Sequence, residues 1–74
     1  MSLNDLKSGE SALIEHIEGD MRLVKRLMAL GYISGTKVTV KGSAPLGDPI
    51  IIKVRGSEFA LRRKDAKNIY VMEA

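Results

Sequence analysis

Gly9, Gly19, Gly31, Gly35, Gly42, Gly47 and Gly56 divide the chain into short units, leaving little room for any long element. Turn signals that recur at intervals of about ten residues mark a small all-β sandwich or barrel. Between them lie runs suited to half-buried strands. Ser11 to Glu18 alternates apolar and polar side chains, and Lys37-Val38-Thr39-Val40-Lys41 and Ile50-Ile51-Ile52-Lys53-Val54-Arg55 are rich in β-branched residues. Gly56-Ser57 then makes a tight turn into Glu58-Phe59-Ala60-Leu61-Arg62, and Ile69-Tyr70-Val71-Met72 supplies a last strand.

One unit breaks this pattern. After Gly19, Asp20 can accept bonds from the free N–H groups of a first helical turn. At 100° per residue, Met21, Leu23, Val24, Leu27, Met28 and Leu30 share one half of the wheel, with Arg22, Lys25 and Arg26 on the other. Gly31 then offers the left-handed residue that ends many helices. The spacing therefore predicts a helix of about eleven residues. Arg63 to Asn68 is too short for a stable helix and suits a single 3₁₀ turn.

Five short strands and one helix after the first strand cannot bury their apolar faces as a flat sheet. The expected architecture is mainly β, a small SH3-like five-stranded barrel with the helix across one open end. Val38, Val40, Ile50, Ile52, Val54, Phe59, Leu61, Ile69 and Val71 are expected to fill it, plugged by Leu23, Leu27 and Leu30. A chain of 74 residues makes one domain, 1–74, and has no cysteine to staple it. It carries no apolar run approaching the roughly 20 residues that cross a bilayer, and Met1 to Leu6, with no basic and no apolar stretch, is not expected to act as a secretory leader. The expected location is cytoplasmic.

Three segments, in this order and spacing, carry a resemblance to a known family. The first is Leu6-Lys7-Ser8-Gly9-Glu10 with Ile17-Glu18-Gly19-Asp20. The second is Arg26-Leu27 running into Leu30-Gly31-Tyr32-Ile33-Ser34-Gly35. The third is Ala44-Pro45-Leu46-Gly47-Asp48-Pro49-Ile50, followed by Val54-Arg55-Gly56, Ala60-Leu61-Arg62-Arg63 and Asp65-Ala66. Together they resemble the FeoA family over almost the whole chain. The resemblance implies an SH3-like fold and a non-catalytic role in ferrous iron uptake beside FeoB, a membrane permease with a cytosolic GTP-binding domain. A similar barrel also occurs in iron-dependent repressors, so fold alone does not fix function.

The residues themselves argue against chemistry. His16 is the only imidazole, no serine sits in a nucleophile-elbow context, and no glycine-rich phosphate loop exists. No catalytic residue and no cofactor is expected. His16, Glu18 and Asp20 alternate and could share a face for ferrous iron, but Gly19-Asp20 is also a turn and a helix cap, so no metal site is assigned. Lys37, Lys41, Lys53 and Arg55, with the run Arg62-Arg63-Lys64, raise nucleic-acid binding as the alternative; such sites stack bases on aromatics, and the chain has only Tyr32, Phe59 and Tyr70. A proline-peptide groove of the SH3 kind needs aromatics too.

The loop from Gly42 to Pro49 remains. It is longer than a tight hairpin needs and sets Leu46 between Pro45 and Gly47. Leu46 either reaches a partner or folds back to cap the barrel. The expected partner-binding residues are Pro45, Leu46, Gly47 and Asp48 of this loop with Arg22, Lys25 and Arg26 of the helix; Arg26 could equally pair with a carboxylate of the fold. A free edge strand could also pair with a second copy.

Overall fold

The computed structural model describes residues 1–73. A 3₁₀ turn, Leu3–Asp5, leads into β1 (Ser11–Ile17), helix α1 (Met21–Ala29), β2 (Lys37–Ser43), β3 (Ile50–Val54), β4 (Ser57–Leu61), the one-turn helix α2 (Arg63–Ala66) and β5 (Ile69–Glu73). The strands form one antiparallel sheet in the order β4-β3-β2-β1-β5. This is the SH3-like arrangement, a curled sheet that is left open between β4 and β5. Two register shifts help it curl, one between Ile14 and His16 and one between Val40 and Gly42, because an extra residue bends its strand and increases the twist.

The alternation in the strands does what the sequence requires. Val38, Val40, Ile50, Ile52, Val54, Leu61, Ile69 and Val71 are buried and form the core. Leu3, Ala12, Ile14, Leu27, Tyr32 and Ala66 join them. Phe59, expected inside, is half-buried and packs at the margin, its ring tilted against that of Tyr32 with centroids 6.2 Å apart. Of the expected plug, Leu27 is buried and Leu23 half-buried, but Leu30 is exposed. The helix stops at Ala29, and Leu30 is its C-cap, keeping right-handed helical backbone beside an open groove that it lines with Leu27. Asp20 caps the other end, accepting the Leu23 N–H at 2.9 Å.

Three further expectations change. The segment after β4 is an α turn: the Arg62 carbonyl accepts from Ala66 and that of Arg63 from Lys67. The loop before β3 is shorter than the sequence suggests. The shift at Lys41 lets Gly42 and Ser43 pair with Ile51 and Ile50, which leaves positions 44 to 49 as the loop. The tight turn falls one residue earlier than the expected Gly56-Ser57: Arg55, with φ of 51°, and Gly56, with φ of 82°, adopt the doubly left-handed geometry of a two-residue hairpin, and Ser57 begins β4. Among the described residues, no helix is long and apolar enough to cross a membrane.

Candidate docking surface

The loop between β2 and β3 is a built turn. The Gly47 N–H donates to the Ala44 carbonyl at 2.8 Å and the Ala44 N–H to the Pro49 carbonyl at 2.9 Å. Proline at the second position of such a turn and glycine at the fourth suit its dihedrals, and Gly47 has φ of 89°. This arrangement thrusts Leu46 outward until it is 98% exposed, so the alternative in which it caps the barrel is excluded.

Arg63 holds the loop in place. Its Nε–H donates to the Gly47 carbonyl, its guanidinium reaches the Asn4 side chain at 3.0 Å, and its backbone N–H donates to the Asp48 carboxylate at 3.1 Å. A planar guanidinium can serve two acceptors at once, which an ammonium at a single point does not. Asp48 is therefore partly committed within the fold. The sequence pointed to the loop but not to its latch, since Arg63 read only as part of a basic run.

α1 carries the other candidate residues. Arg22 and Lys25 are exposed. Arg26 pairs with Asp65 of α2 at 3.5 Å, while its own side chain stays 64% exposed. This is the intramolecular pairing that the sequence left open, and it ties α1 to α2. Arg62 and Lys64 lie between the loop and α1. They line one concavity with Asp48 and Pro49 and another with Arg26, Leu27 and Leu30. Loop, α2 and the C-terminal half of α1 thus share one continuous stretch of surface.

The other candidates fare differently. His16 Nε2 lies 3.0 Å from Glu18 and Nδ1 3.1 Å from Glu15, while its ring stacks on Tyr70 at 4.7 Å. Asp20 is turned away into the helix cap. Among the described residues, no three metal-ligating side chains converge. Lys37, Lys53 and Arg55 do meet around a shallow concavity outside β2 and β3. No aromatic stands beside them: Tyr32 is buried, Phe59 packs on it, and Tyr70 stacks on His16.

Tyr32 was missed as a core residue. It is fully buried, and among the described residues its hydroxyl has no hydrogen-bond partner. Burial pushes its pKa up to about 12, because the phenolate would be stranded away from water.

A family model for the FeoA domain matches residues 1–73. The chain belongs to the FeoA family. It is 37% identical over 71 residues to a Porphyromonas gingivalis protein named as a fusion of Fe(2+) transport protein A and the Fe(2+) transporter FeoB. That match covers 96% of the chain and only 8% of the fusion protein. A solution structure of FeoA from Chlorobium tepidum superposes with a TM-score of 0.90 at 38% identity, covering 96% of this chain and 68% of that one. FeoA of Stenotrophomonas maltophilia, described as a prokaryotic SH3 domain protein complexed with zinc, gives 0.86 at 30% identity over 97% of this chain and 89% of its own. A manganese-dependent transcriptional repressor gives 0.90 at 16% identity over 100% of this chain and 36% of its own, a likeness of fold alone.

Proposed function

We propose that this FeoA-family chain is a non-catalytic, cytoplasmic accessory module of ferrous iron uptake, acting as one unit over 1–74 by docking on a FeoB-type transporter. The observation that carries this reading is Leu46. A leucine presented at 98% exposure on a turn latched by Arg63 is an apolar anchor whose ordering cost is already met. Pro45, Gly47 and Asp48 flank it in the loop, Arg26 lines the neighbouring concavity beside α2, and Arg22 and Lys25, exposed on the same helix, complete the proposed contact set. The fusion of both proteins in one chain in Porphyromonas gingivalis supports the choice of partner, since covalent linkage keeps the two at high effective concentration.

The test is binding of the purified chain to detergent-solubilised FeoB from the same organism, with a random DNA duplex as control. Binding to the transporter that Leu46→Asp abolishes is the expected result. Binding to DNA alone, with a steep loss on adding salt, would replace this reading with nucleic-acid contact through Lys37, Lys53 and Arg55.

A further inference from the structure

β4 is an edge of the sheet, and among the described residues its outward backbone groups have no backbone partner. Val54 and Ser57 close the two-residue turn and face each other directly, so they exchange backbone bonds. Alternation then turns Phe59 and Leu61 toward β3 and leaves Glu58 and Ala60 pointing away from it. Both are exposed, and among the described residues no backbone group bonds to their N–H or C=O. The Arg62 N–H, next in the alternation, also lacks a backbone acceptor, while its carbonyl is taken by Asp65 and Ala66. The edge offers three donors and two acceptors, with the residues that carry them spaced about 6.8 Å apart along the strand.

α1 stands across from this edge. Between them runs a groove of about 420 Å³, with Arg26 and Leu30 on the helix side, Ala60 and Arg62 on the strand side, and Lys64 and Asp65 completing it. Leu30 is exposed, as are Met21 and Met28 on the apolar half of the same helix, and it presents apolar surface to the groove. Three cations stand against one carboxylate, and that carboxylate is already paired with Arg26. An open strand edge beside a helix is the arrangement that receives an extended peptide as an added strand, main-chain bonds giving affinity and the walls giving selectivity.

We propose that the β4 edge and this groove form a strand-addition site for an extended acidic peptide segment of the docking partner. The proposal rests on the reading that the chain docks on a protein, and it assigns the contact a second, backbone-mediated half beside Leu46. The groove's excess of positive charge selects an acidic segment. A second copy of the chain is the poorer occupant, because its own β4 is flanked by the same helix and its groove by the same cations.

The experiment titrates the isotope-labelled chain with overlapping fifteen-residue peptides covering the soluble segments of FeoB from the same organism, up to about 1 mM. Acidic peptides are expected to shift the amides of Glu58, Ala60 and Arg62 and to slow their hydrogen exchange. Ala60→Pro removes one outward donor without touching the β3 ladder, a change edge strands tolerate. It should weaken peptide binding at least about tenfold. Should that variant fold poorly, Arg62→Glu with Lys64→Glu provides the second test and should abolish acidic-peptide binding. No acidic peptide bound, or binding unchanged in these variants, overturns the proposal. So does self-association in sedimentation that Ala60→Pro abolishes, which would make a second copy the occupant. Whole-transporter binding separates the two readings: loss with Leu46→Asp but not with Ala60→Pro keeps the docking reading and sinks strand addition.

Discussion

Arg63 donates its Nε–H to the carbonyl of Gly47, so a side chain at the start of α2 sets the position of a turn sixteen residues earlier in the chain. The same guanidinium also reaches Asn4, which binds the turn to the N-terminal 3₁₀ segment. Three parts of the chain that are remote in sequence are joined at one half-buried cation.

Arg63→Ala should therefore lower stability by about 2 kcal/mol, the usual cost of losing hydrogen bonds from a charged group that is not fully solvated. It should also speed hydrogen exchange at Gly47, and it should weaken transporter binding even though Arg63 is not at the tip. Arg63→Lys should recover only part of this, because an ammonium cannot span both acceptors. Thermal unfolding and amide exchange measure both effects.

Leu46→Asp should change stability by less than about 0.5 kcal/mol, since the side chain touches almost nothing in the fold. A melting temperature close to that of the parent, combined with lost binding, separates an anchor from a core residue. A large fall in melting temperature would contradict its exposure.

Tyr32→Phe removes a buried hydroxyl that has no partner among the described residues. The variant should be as stable as the parent near neutral pH or more stable by about 1 kcal/mol. Alkaline pH offers a sharper contrast. The unfolded chain ionises Tyr32 from pH 10, while the folded chain holds the proton until about pH 12. In that window the folded state binds more protons, so the parent loses stability as pH rises, by up to about 1.4 kcal/mol per pH unit. The difference between parent and Tyr32→Phe in denaturant midpoints across this range isolates the effect from that of the other titrating groups.

Gly31→Ala should lower the melting temperature by roughly 10 °C. The residue has φ of +105°, and an added Cβ would sit 3.1 Å from Val54 Cγ1 and 3.3 Å from Arg55 Cδ. Gly42→Ala is the matched control. Its backbone is not left-handed, nothing lies within 4 Å of the new atom, and its effect should be close to zero.

Much of the fold was legible because two periodicities carry it. Alternation located the β-branched positions of β2, β3 and β5, and the 3.6-residue repeat located α1 between the Asp20 cap and Gly31. The failures share a cause, namely tertiary contacts that leave no local mark. Leu3 is buried although no periodic segment contains it, and Tyr32, just past α1, is buried with its ring tilted against that of Phe59. Leu30 lies on the apolar half of the wheel, yet it is left exposed because the groove it lines is open. At the site, the length of the loop and its Pro45 and Gly47 marked it for attention but left open whether Leu46 points outward or caps the barrel. The latch by Arg63 could not be anticipated, since nothing in Arg62-Arg63-Lys64 distinguishes the residue that turns inward.

The sheet's other edge carries a practical implication. The Val71 N–H donates to the Met1 carbonyl, and Ser2 bridges to Tyr70, so the first residues of the module lie along its last strand. Entry and exit of the chain are neighbours on β5. A module wired in this way can be spliced into a longer polypeptide, or cut and rejoined in a different order, with its β4 side left untouched.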